Sequence, residues 1–245
     1  MSKVSIMGVN FDAVSKPEAV AMAMQHIRKQ NKGYIVTPNS EIVYMARQDP
    51  LLKELLNGAC ISLPDGVGIL HAAKIQGKPI QEKVAGVEFA VALMEEMAKE
   101  KRSLYLLGAK PGVAKKAAEN LWTRYPGLRI AGCHDGYFQD EQEVVEAVNA
   151  AGSVDLLLVC LGAPKQEYFI QRHFNEINAT LFCGLGGSLD IYAGVAQRAP
   201  EFYVKHGLEW LYRLKKEPWR YKRMAKLPLF LMCAAKDKLT GSNLE

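Results

Sequence analysis

A single carboxylate stands at the end of an apolar run in the stretch ISLPDGVGIL, residues 61–70. This residue, Asp65, follows a proline and precedes two glycines that flank Val67. Such a carboxylate could be a turn residue, a metal ligand, a ribose-binding group or a general base that takes a proton from a hydroxyl. Spacing alone favours the Pro-Asp-Gly turn and leaves catalysis open.

Similar loops recur along the chain, each with glycine or proline beside one or two polar side chains. They read TPNSE (37–41), GAKPG (108–112), CHDGYF (133–138), GAPKQE (162–167) and GLGGSLD (184–190). Glycine lets a backbone approach a phosphate or a sugar closely, and the free N–H groups of helix N-termini attract anions. We therefore expect these loops to bind the ligand.

Each polar residue of these loops also has a purely structural interpretation. Asn39 could cap the helix that follows it, and Gln166 and Glu167 could be first-turn residues of the next helix. Asp135 could form a plain turn with the following glycine, and Asp190 could form a surface ion pair. Residue types and spacing leave both interpretations open.

Several ligand-binding motifs are missing from the sequence. None of the loops is a Walker A motif, and GLGGSLD is only a weak match to the glycine-rich loop that binds dinucleotides. There is no C-x-x-C pair, no Cys/His cluster with zinc spacing and no D-x-D motif. Nucleotide-sugar enzymes that use Mg²⁺ or Mn²⁺ commonly place paired acids at the diphosphate. We therefore expect no metal site. Lys and Arg side chains and helix dipoles would neutralise the charge of the diphosphate instead.

Alternating strands and helices are predicted along most of the chain. The strands are continuous apolar runs, as in a parallel sheet covered on both faces. We predict an α/β fold with a Rossmann-like, mostly parallel sheet that begins at about residue 100 and has helices on both faces. The core, residues 1–195, would combine a smaller N-terminal lobe (about 1–100) with this Rossmann-like part (about 101–195). Residues 196–245 would form a basic helical appendage.

Local signals predict several element boundaries. A turn near Gly8 predicts a strand pair at the N-terminus. Ser15, with Glu18 three residues later, is typical of a capping box at the start of a helix. Pro50 interrupts the helical pattern that follows Asn39.

Composition favours a folded chain in a reducing, cytoplasmic compartment. The 245 residues are 49% apolar, which is enough for a sizeable core. The five cysteines are an odd and scattered set, which favours free thiols over disulfides. The N-terminus has no signal-peptide pattern. The apolar run LPLFLMCAA (227–235) is about half as long as a membrane-spanning helix.

Positive charge is concentrated at the C-terminus. Residues 196–245 carry 11 Lys/Arg against 5 Asp/Glu, whereas the whole chain has a net charge of +5. Aromatic residues alternate with these charges, which favours an anionic partner over a merely solvated tail. On one continuous helix Arg213, Lys216, Arg220 and Arg223 would form a stripe, although Pro218 interrupts it. We predict that this stripe faces a diphosphate and anionic headgroups, with LPLFLMCAA at the membrane interface.

Seven motifs follow one another in a specific order. They read TPNSE, LPDGVG, EKVAGVEF, YLLGAKPGVAKKAAENLWTRYPGLRIAGCHDGYF, LGAPKQE, GLGGSLDIYAGVAQRAP and GLEWLYRLKKEPWRYKR. In this order they resemble the WecG/TagA/CpsF family of bacterial glycosyltransferases, and in particular its members that act in teichoic-acid linkage. The resemblance covers roughly residues 3–226.

The resemblance implies an activity and a set of partners. The enzyme would be inverting and metal-independent, would need no cofactor, and would transfer N-acetylmannosamine from UDP-ManNAc to a GlcNAc-diphospho-polyprenol in a β-1,4 linkage. It would be cytoplasmic and peripheral on the inner face of the cell membrane. No nucleic-acid partner is expected, and a homo-oligomer stays open.

The resemblance also implies roles for individual residues. Asp65 would be the general base. The substrate-binding residues would be Thr37, Asn39, Lys83, Gln166, Arg213, Arg220 and Arg223, the arginines covering the site and meeting the lipid diphosphate. Apart from the resemblance, the need to bind UDP leads us to assign Gly108, Gly136, Tyr137, Gly162, Gly184, Gly186 and Gly187 to the nucleotide side, with Asp190 as a uracil or ribose partner.

The chain departs from the family pattern at two positions. The family usually has arginine at position 83 and G-x-D where this chain has Gly86-Val87-Glu88. Lys83 keeps the positive charge but loses the bidentate fork.

Different activities also stay open. The donor could be another UDP-sugar, with ManNAc uronic acid or glucose in place of N-acetylmannosamine. The chain could also be a Rossmann NAD(P) oxidoreductase, although its strand-end glycines are spread over several loops instead of concentrated in one. A non-enzymatic module that binds anionic lipid through the basic tail would leave Thr37, Asn39, Asp65 and Gln166 unexplained.

Overall fold

The computed structural model describes residues 3–80, 82–197, 199–200, 202–203, 208–216, 221 and 226–240. Within these residues a six-stranded sheet, ordered β4-β3-β8-β7-β5-β6, forms the centre of the fold. Its strands are β3 (Gly33–Val36), β4 (Ile61–Ser62), β5 (Ser103–Gly108), β6 (Arg129–His134), β7 (Val154–Cys160) and β8 (Ala179–Gly184). Every neighbouring pair is parallel, so all six strands end at one edge of the sheet.

Helices surround this sheet, and local signals set where several of them begin. They are α1 (Lys16–Arg28), α2 (Ser40–Ala46), α3 (Pro50–Gly58), α4 (Val67–Gln76), α5 (Gly86–Lys99), α6 (Val113–Arg124), α7 (Glu141–Ala150), α8 (Lys165–His173), α9 (Ser188–Tyr192), α10 (Glu209–Lys216) and α11 (Lys226–Thr240). The predicted capping box between Ser15 and Glu18 begins α1. Asp49 caps α3 directly before Pro50, which separates α2 from α3 as predicted.

Both faces of the sheet are covered, which explains the continuous apolar runs. On β7, Leu156 and Leu158 pack in the layer that contains α1, α5 and α6, whereas Leu157 and Val159 pack in the layer of α7 and α8. Successive side chains of a strand point to opposite faces, so a strand buried on both sides needs apolar residues throughout. The predicted Rossmann-like α/β fold is confirmed.

The sheet begins earlier in the chain than predicted. Strand β3 pairs with β8 as well as with β4, so residues 33–62 contribute to the same sheet as the Rossmann-like part. The expected start of the sheet near residue 100 was therefore wrong. A four-residue apolar run such as β3 shows that a strand exists but not which distant strand it pairs with.

A hairpin at the N-terminus forms a second, two-stranded sheet. Its strands are β1 (Lys3–Ile6) and β2 (Val9–Asp12), and the predicted turn lies at Met7 and Gly8. The Asp12 carboxylate accepts a hydrogen bond from Ser62 N–H at 2.8 Å, which attaches the hairpin to β4.

The C-terminal helix α11 packs on α2 and α4. Phe230 is buried in this contact, and Arg47, which follows α2, donates two hydrogen bonds to Asp237, at 2.5 and 3.0 Å. The stretch LPLFLMCAA is therefore divided between core and surface, because Leu229 and Met232 are exposed. None of the helices within the described ranges is long and apolar enough to cross a membrane.

Candidate active site

The strand-end loops meet at the carboxyl edge of the sheet, as predicted. The loops after β4, β3 and β8 lie side by side, and those after β7, β5 and β6 continue the row. Neighbouring strands are about 4.8 Å apart, so the ends of β3 and β5 are separated by about 14 Å. Acidic and amide side chains stand in the loops after β4, β3 and β7, and glycines are frequent in the loops after β8, β5 and β6.

Asp65 lies three residues after the end of β4 and is half-buried. Its N–H donates to Pro38 O at 3.2 Å, which ties its loop to the loop after β3. Its Oδ2 accepts a hydrogen bond at 3.2 Å from the N–H of Gly86, the first residue of α5. The positive end of the α5 dipole therefore lies beside the Asp65 carboxylate.

Thr37 connects the Asp65 loop to the loop after β8. Its side chain is nearly buried, and Oγ1 donates to Gly184 O at 3.3 Å. A Cβ placed on Gly86 would lie 3.0 Å from Thr37 Oγ1 and 2.9 Å from Leu185 Cδ2. Only glycine fits at position 86 without displacing these neighbours, so the close contact brings the start of α5 against Thr37.

Gln166 holds the loop after β8 from the opposite side. Its buried amide accepts a hydrogen bond from Gly186 N–H through Oε1 at 2.8 Å and donates through Nε2 to Glu167 Oε1 at 2.9 Å. A Cβ on Gly184 would lie only 2.8 Å from Gln166 Nε2. Thr37 and Gln166 therefore meet the same short loop, and the structure brings Asp65, Thr37 and Gln166 into one connected cluster.

Asn39 caps its helix, as its structural interpretation predicted. Its Oδ1 accepts hydrogen bonds from Glu41 N–H at 3.0 Å and Ile42 N–H at 3.1 Å. A Cβ on Gly66, the residue after Asp65, would lie 4.0 Å from Asn39 Cβ. The cap uses only the amide oxygen, and Asn39 Nδ2 makes no hydrogen bond to the part of the chain that the structure describes.

The glycines after β5 and β6 are required by backbone packing. Gly108 has a φ of +132°, and a Cβ there would lie 2.3 Å from Cys160 O. The N–H of Gly136 donates to Ala109 O at 2.9 Å, so the loop after β6 rests on the loop after β5. A Cβ on Gly136 would lie 3.3 Å from Ala109 O, which is a tight contact, so backbone packing favours glycine at both positions.

Tyr137 and Gly162, in the loops after β6 and β7, are accessible to solvent at this edge of the sheet. Tyr137 N–H donates to Asp135 Oδ1 at 2.8 Å, which confirms the turn interpretation of Asp135, and the Tyr137 ring is exposed. Gly162 has a φ of +80°, and no heavy atom lies within 4 Å of a Cβ placed on it. Open space therefore lies beside the backbone that precedes Gln166.

The loop after β8 leads into α9. Gly186 has a φ of +52°, and its N–H is already engaged with Gln166. A Cβ on Gly187 would lie 3.7 Å from Asp190 Oδ2. Asp190 O accepts hydrogen bonds from the N–H groups of Val195 and Ala196, both at 2.9 Å, which closes the end of α9.

Lys83 lies beside the Asp65 loop and pairs with the appendage. The N–H of the next residue, Val84, donates to Pro64 O at 2.9 Å, and Lys83 Nζ lies 2.8 Å from Glu209 Oε2 on α10. The structure therefore brings the appendage to the candidate site through this ion pair. Three predicted binding groups, Arg220, Arg223 and the Arg213 side chain, lie outside the described residues.

Comparison with known families identifies the chain. A family model described as "Glycosyl transferase WecG/TagA/CpsF family" matches residues 4–244. The chain belongs to this family. The matched range contains every residue of the candidate site, including Lys83 and Glu209.

Curated relatives cover most of this WecG/TagA/CpsF family member. A protein of Bacillus spizizenii strain W23 is 38% identical over 210 residues, 85% of this chain and 81% of the relative. A Bacillus subtilis strain 168 protein is 34% identical over 215 residues, which are 87% of this chain and 84% of the relative. A Staphylococcus aureus strain MW2 protein is 34% identical over 243 residues, which are 97% of this chain and 94% of the relative. All three are named N-acetylglucosaminyldiphosphoundecaprenol N-acetyl-beta-D-mannosaminyltransferase.

Sequence reasoning did not anticipate the surroundings of two acids of this family member's candidate site. Glu209 lies within the basic tail, and nothing in the sequence shows that it pairs with Lys83, 126 residues away. Glu167 is a first-turn helix residue, as one interpretation predicted, but its side chain is buried instead of solvated. The motif GAPKQE was the only signal for Glu167, and it did not distinguish these two surroundings.

Proposed function

We propose that this chain transfers N-acetylmannosamine from UDP-ManNAc to GlcNAc-diphosphoundecaprenol, with a β-1,4 linkage, as a step in wall teichoic acid linkage-unit synthesis. The names of relatives at 34–38% identity support this acceptor and this sugar. The observation that carries the proposal is the position of Asp65. Its carboxylate lies at the N-terminus of α5, beside the connected loops that hold Thr37 and Gln166.

The proposed chemistry is a single displacement. The acceptor hydroxyl attacks the anomeric carbon of the donor, and the bond between that carbon and UDP breaks with its electron pair leaving on the diphosphate. Asp65 takes the hydroxyl proton. Attack from the face opposite to UDP inverts the anomeric configuration and gives the β-linked product.

Protein groups would hold the donor and meet the charge of the departing UDP. Lys83 and the arginines Arg213, Arg220 and Arg223 would supply positive charge, so we propose a reaction without a metal ion or another cofactor. The cap uses only Oδ1 of Asn39, so its Nδ2 would donate to a sugar oxygen.

The glycine-containing loops after β8, β7, β5 and β6 are proposed as the uridine diphosphate side. Its residues would be Gly108, Gly136, Tyr137, Gly162, Gly184, Gly186, Gly187 and Asp190. The roughly 14 Å between the ends of β3 and β5 leaves length for a nucleotide joined to a sugar. Gly162, with open space beside its backbone, favours close approach of a ligand at this point.

We further propose that the enzyme is cytoplasmic and works at the inner membrane surface, where a lipid-linked acceptor lies. Helix α11 supports this proposal, because Leu229, Met232 and Leu239 are exposed on it. Its start is near the site: a Cβ on Gly68 of α4 would lie 2.9 Å from Leu227 Cδ1. An apolar surface beside the site would let the lipid chain stay in the bilayer while its sugar reaches Asp65.

A donor screen tests the proposed function. The purified chain is incubated with a synthetic GlcNAc-diphospholipid and UDP-ManNAc, UDP-glucose or UDP-ManNAc uronic acid, with and without EDTA. We expect transfer from UDP-ManNAc, resistant to EDTA, and a β-1,4 product by NMR. Transfer from another UDP-sugar alone would reassign the donor. Thermal stabilisation by NAD⁺ but not by UDP would favour an oxidoreductase instead.

A further inference from the structure

Glu167 is a buried acid that the proposed displacement does not use. Its side chain is 4% exposed, and its Oε1 accepts the hydrogen bond from Gln166 Nε2 at 2.9 Å. Its Oε2 is buried and has no hydrogen-bond partner within the described chain. An unmatched buried oxygen costs stability, which a leucine of similar size would avoid. Packing alone therefore does not explain an acid at this position.

We infer that Glu167 is a positioning residue for the glycosyl transfer, acting by fixing the orientation of the Gln166 amide; this inference rests on the proposed function. The two ends of an amide are nearly equal in shape, and their partners decide which end carries the oxygen. Glu167 accepts from Nε2, which leaves Oε1 to accept from Gly186 N–H. If the Gln166 amide were reversed, its NH₂ group would face the N–H of Gly186. Two donors would then point at each other, and neither would have an acceptor there.

The oriented amide holds the loop after β8 in place. The bond to Gly186 is 2.8 Å long, and the amide also packs against Gly184, where an added Cβ would lie 2.8 Å from Nε2. The loop cannot shift toward Gln166 without a clash or away from it without losing this hydrogen bond. The position of the Gly184 carbonyl therefore depends on the orientation that Glu167 imposes.

The Gly184 carbonyl passes this constraint to the proposed base. It accepts the hydrogen bond from Thr37 Oγ1 at 3.3 Å, and Thr37 packs against Gly86. The N–H of Gly86 in turn donates to Asp65 Oδ2 at 3.2 Å. Contacts thus run without a gap from Glu167 to the carboxylate that would take the proton.

The first test compares Glu167→Gln with Glu167→Leu in the full-length chain. Glutamine keeps an oxygen that can accept from Gln166, whereas leucine keeps the approximate volume and removes the acceptor. With UDP-ManNAc and the GlcNAc-diphospholipid, we expect kcat to fall about 10-fold to 100-fold in Glu167→Leu and less than about threefold in Glu167→Gln. The KM for the donor should rise in Glu167→Leu as well, because the loop that Gln166 holds carries Gly184, Gly186 and Gly187 of the proposed nucleotide side.

A reversed pair keeps the test informative if Glu167→Leu folds poorly. Gln166→Glu places two acids against each other, whereas the double variant Gln166→Glu/Glu167→Gln restores one donor and one acceptor in reversed order. We expect kcat of the double variant to be at least about tenfold higher than kcat of Gln166→Glu. No recovery would show that the two side chains do not act as a pair.

Hydrogen exchange at the Gly186 amide, measured by NMR, separates this inference from the proposed function. We expect slow exchange in the wild type and Glu167→Gln, and faster exchange in Glu167→Leu at equal global stability. If exchange in the three chains follows this pattern but the wild type transfers no sugar, the proposed function is wrong, whereas the orientation of Gln166 by Glu167 is supported. The inference is overturned if Glu167→Leu keeps kcat within about threefold of wild type, or if Glu167→Gln loses as much activity as Glu167→Leu.

Discussion

Lys83 Nζ lies 2.8 Å from Glu209 Oε2, and this ion pair joins the loop beside the proposed base to the C-terminal appendage. The backbone hydrogen bond from Val84 to Pro64 keeps Lys83 close to Asp65. Both partners of the ion pair are about one-fifth exposed, at 21% and 19% of their side chains. The pair therefore holds α10 next to the site at which the lipid-linked acceptor is proposed to react.

A charge reversal tests whether Lys83 acts through this contact. Lys83→Glu and Glu209→Lys each place like charges together, and we expect each to lower kcat/KM by about 10-fold as α10 moves away. The double variant restores opposite charges, so we expect it to recover the part of the loss that comes from α10, while the missing positive charge at position 83 keeps its kcat/KM below that of wild type. If the double variant stays as inactive as Lys83→Glu, the positive charge at position 83 is itself needed by the diphosphate.

Replacing Asp65 with asparagine tests the proposed base. Asparagine keeps an oxygen that can accept from Gly86 N–H, so the loop should keep its structure while losing the group that takes the proton. We expect kcat to fall about 10²-fold to 10⁴-fold, with the Kd for UDP and the melting temperature nearly unchanged.

The matched control is Glu96→Gln, the same carboxylate-to-amide change on a partly exposed residue in the last turns of α5. It should keep wild-type kcat, because it lies about 15 Å along the helix from Gly86. Full transfer activity in a folded Asp65→Asn variant would remove Asp65 from the mechanism.

Local rules predicted the elements that local contacts determine. The capping box at Ser15, the turn at Gly8 and the interruption at Pro50 each depend on residues within one or two turns, and the structure confirms all three. The pairing of β3 with β8 joins segments about 150 residues apart, and no local pattern specifies it. This difference explains why the fold class was predicted but the first strand of the sheet was not.

The candidate site shows the same division. The strand-end loops were identified from the sequence because parallel strands bring their carboxyl ends to one edge. Side-chain pairing was not predictable in the same way. Glu209 reaches Lys83 across 126 positions. A glutamate in the first turn of a helix is ordinarily solvated, so no sequence pattern indicated that Glu167 is buried against Gln166.

The stability of the chain should depend on pH through Glu167. Burial raises the pKa of this carboxyl above its ordinary value of 4.5, so between 4.5 and the raised value the folded chain binds a proton that the unfolded chain has lost. Folding stability is therefore lost as pH rises through this window. Glu167→Gln removes the titration, so its stability relative to wild type should grow with pH, by up to about 1.4 kcal/mol per pH unit.

Urea unfolding of the wild type and Glu167→Gln between acidic and neutral pH measures this difference. Both chains should have similar stability at the acidic end, where the carboxyl is neutral in both states. A difference that is constant, or that shrinks as pH rises, would show that the folded chain does not favour the protonated acid.

The ion pair between Arg47 and Asp237 should fasten α11 to the core. Asp237 is almost buried, so Arg47→Met leaves a carboxylate without its partner, and we expect a loss of about 1–3 kcal/mol in the free energy of unfolding. Replacing both residues, in Arg47→Met/Asp237→Leu, removes the unpaired charge and should recover most of this loss. Urea unfolding of the three chains checks this, and a double variant no more stable than Arg47→Met would contradict it.

The exposed apolar residues of α11 should bind the membrane surface. Met232 is 68% exposed and Leu239 is 87% exposed, and α11 begins beside the Asp65 loop. We expect Met232→Glu/Leu239→Glu to reduce sedimentation with vesicles containing anionic lipid by about 10-fold or more, because it replaces apolar contacts with charges that the bilayer repels. Trp122→Glu is the matched control, since Trp122 is 65% exposed but lies on α6. Equal loss in the control, or none in the double variant, would place the membrane contact elsewhere.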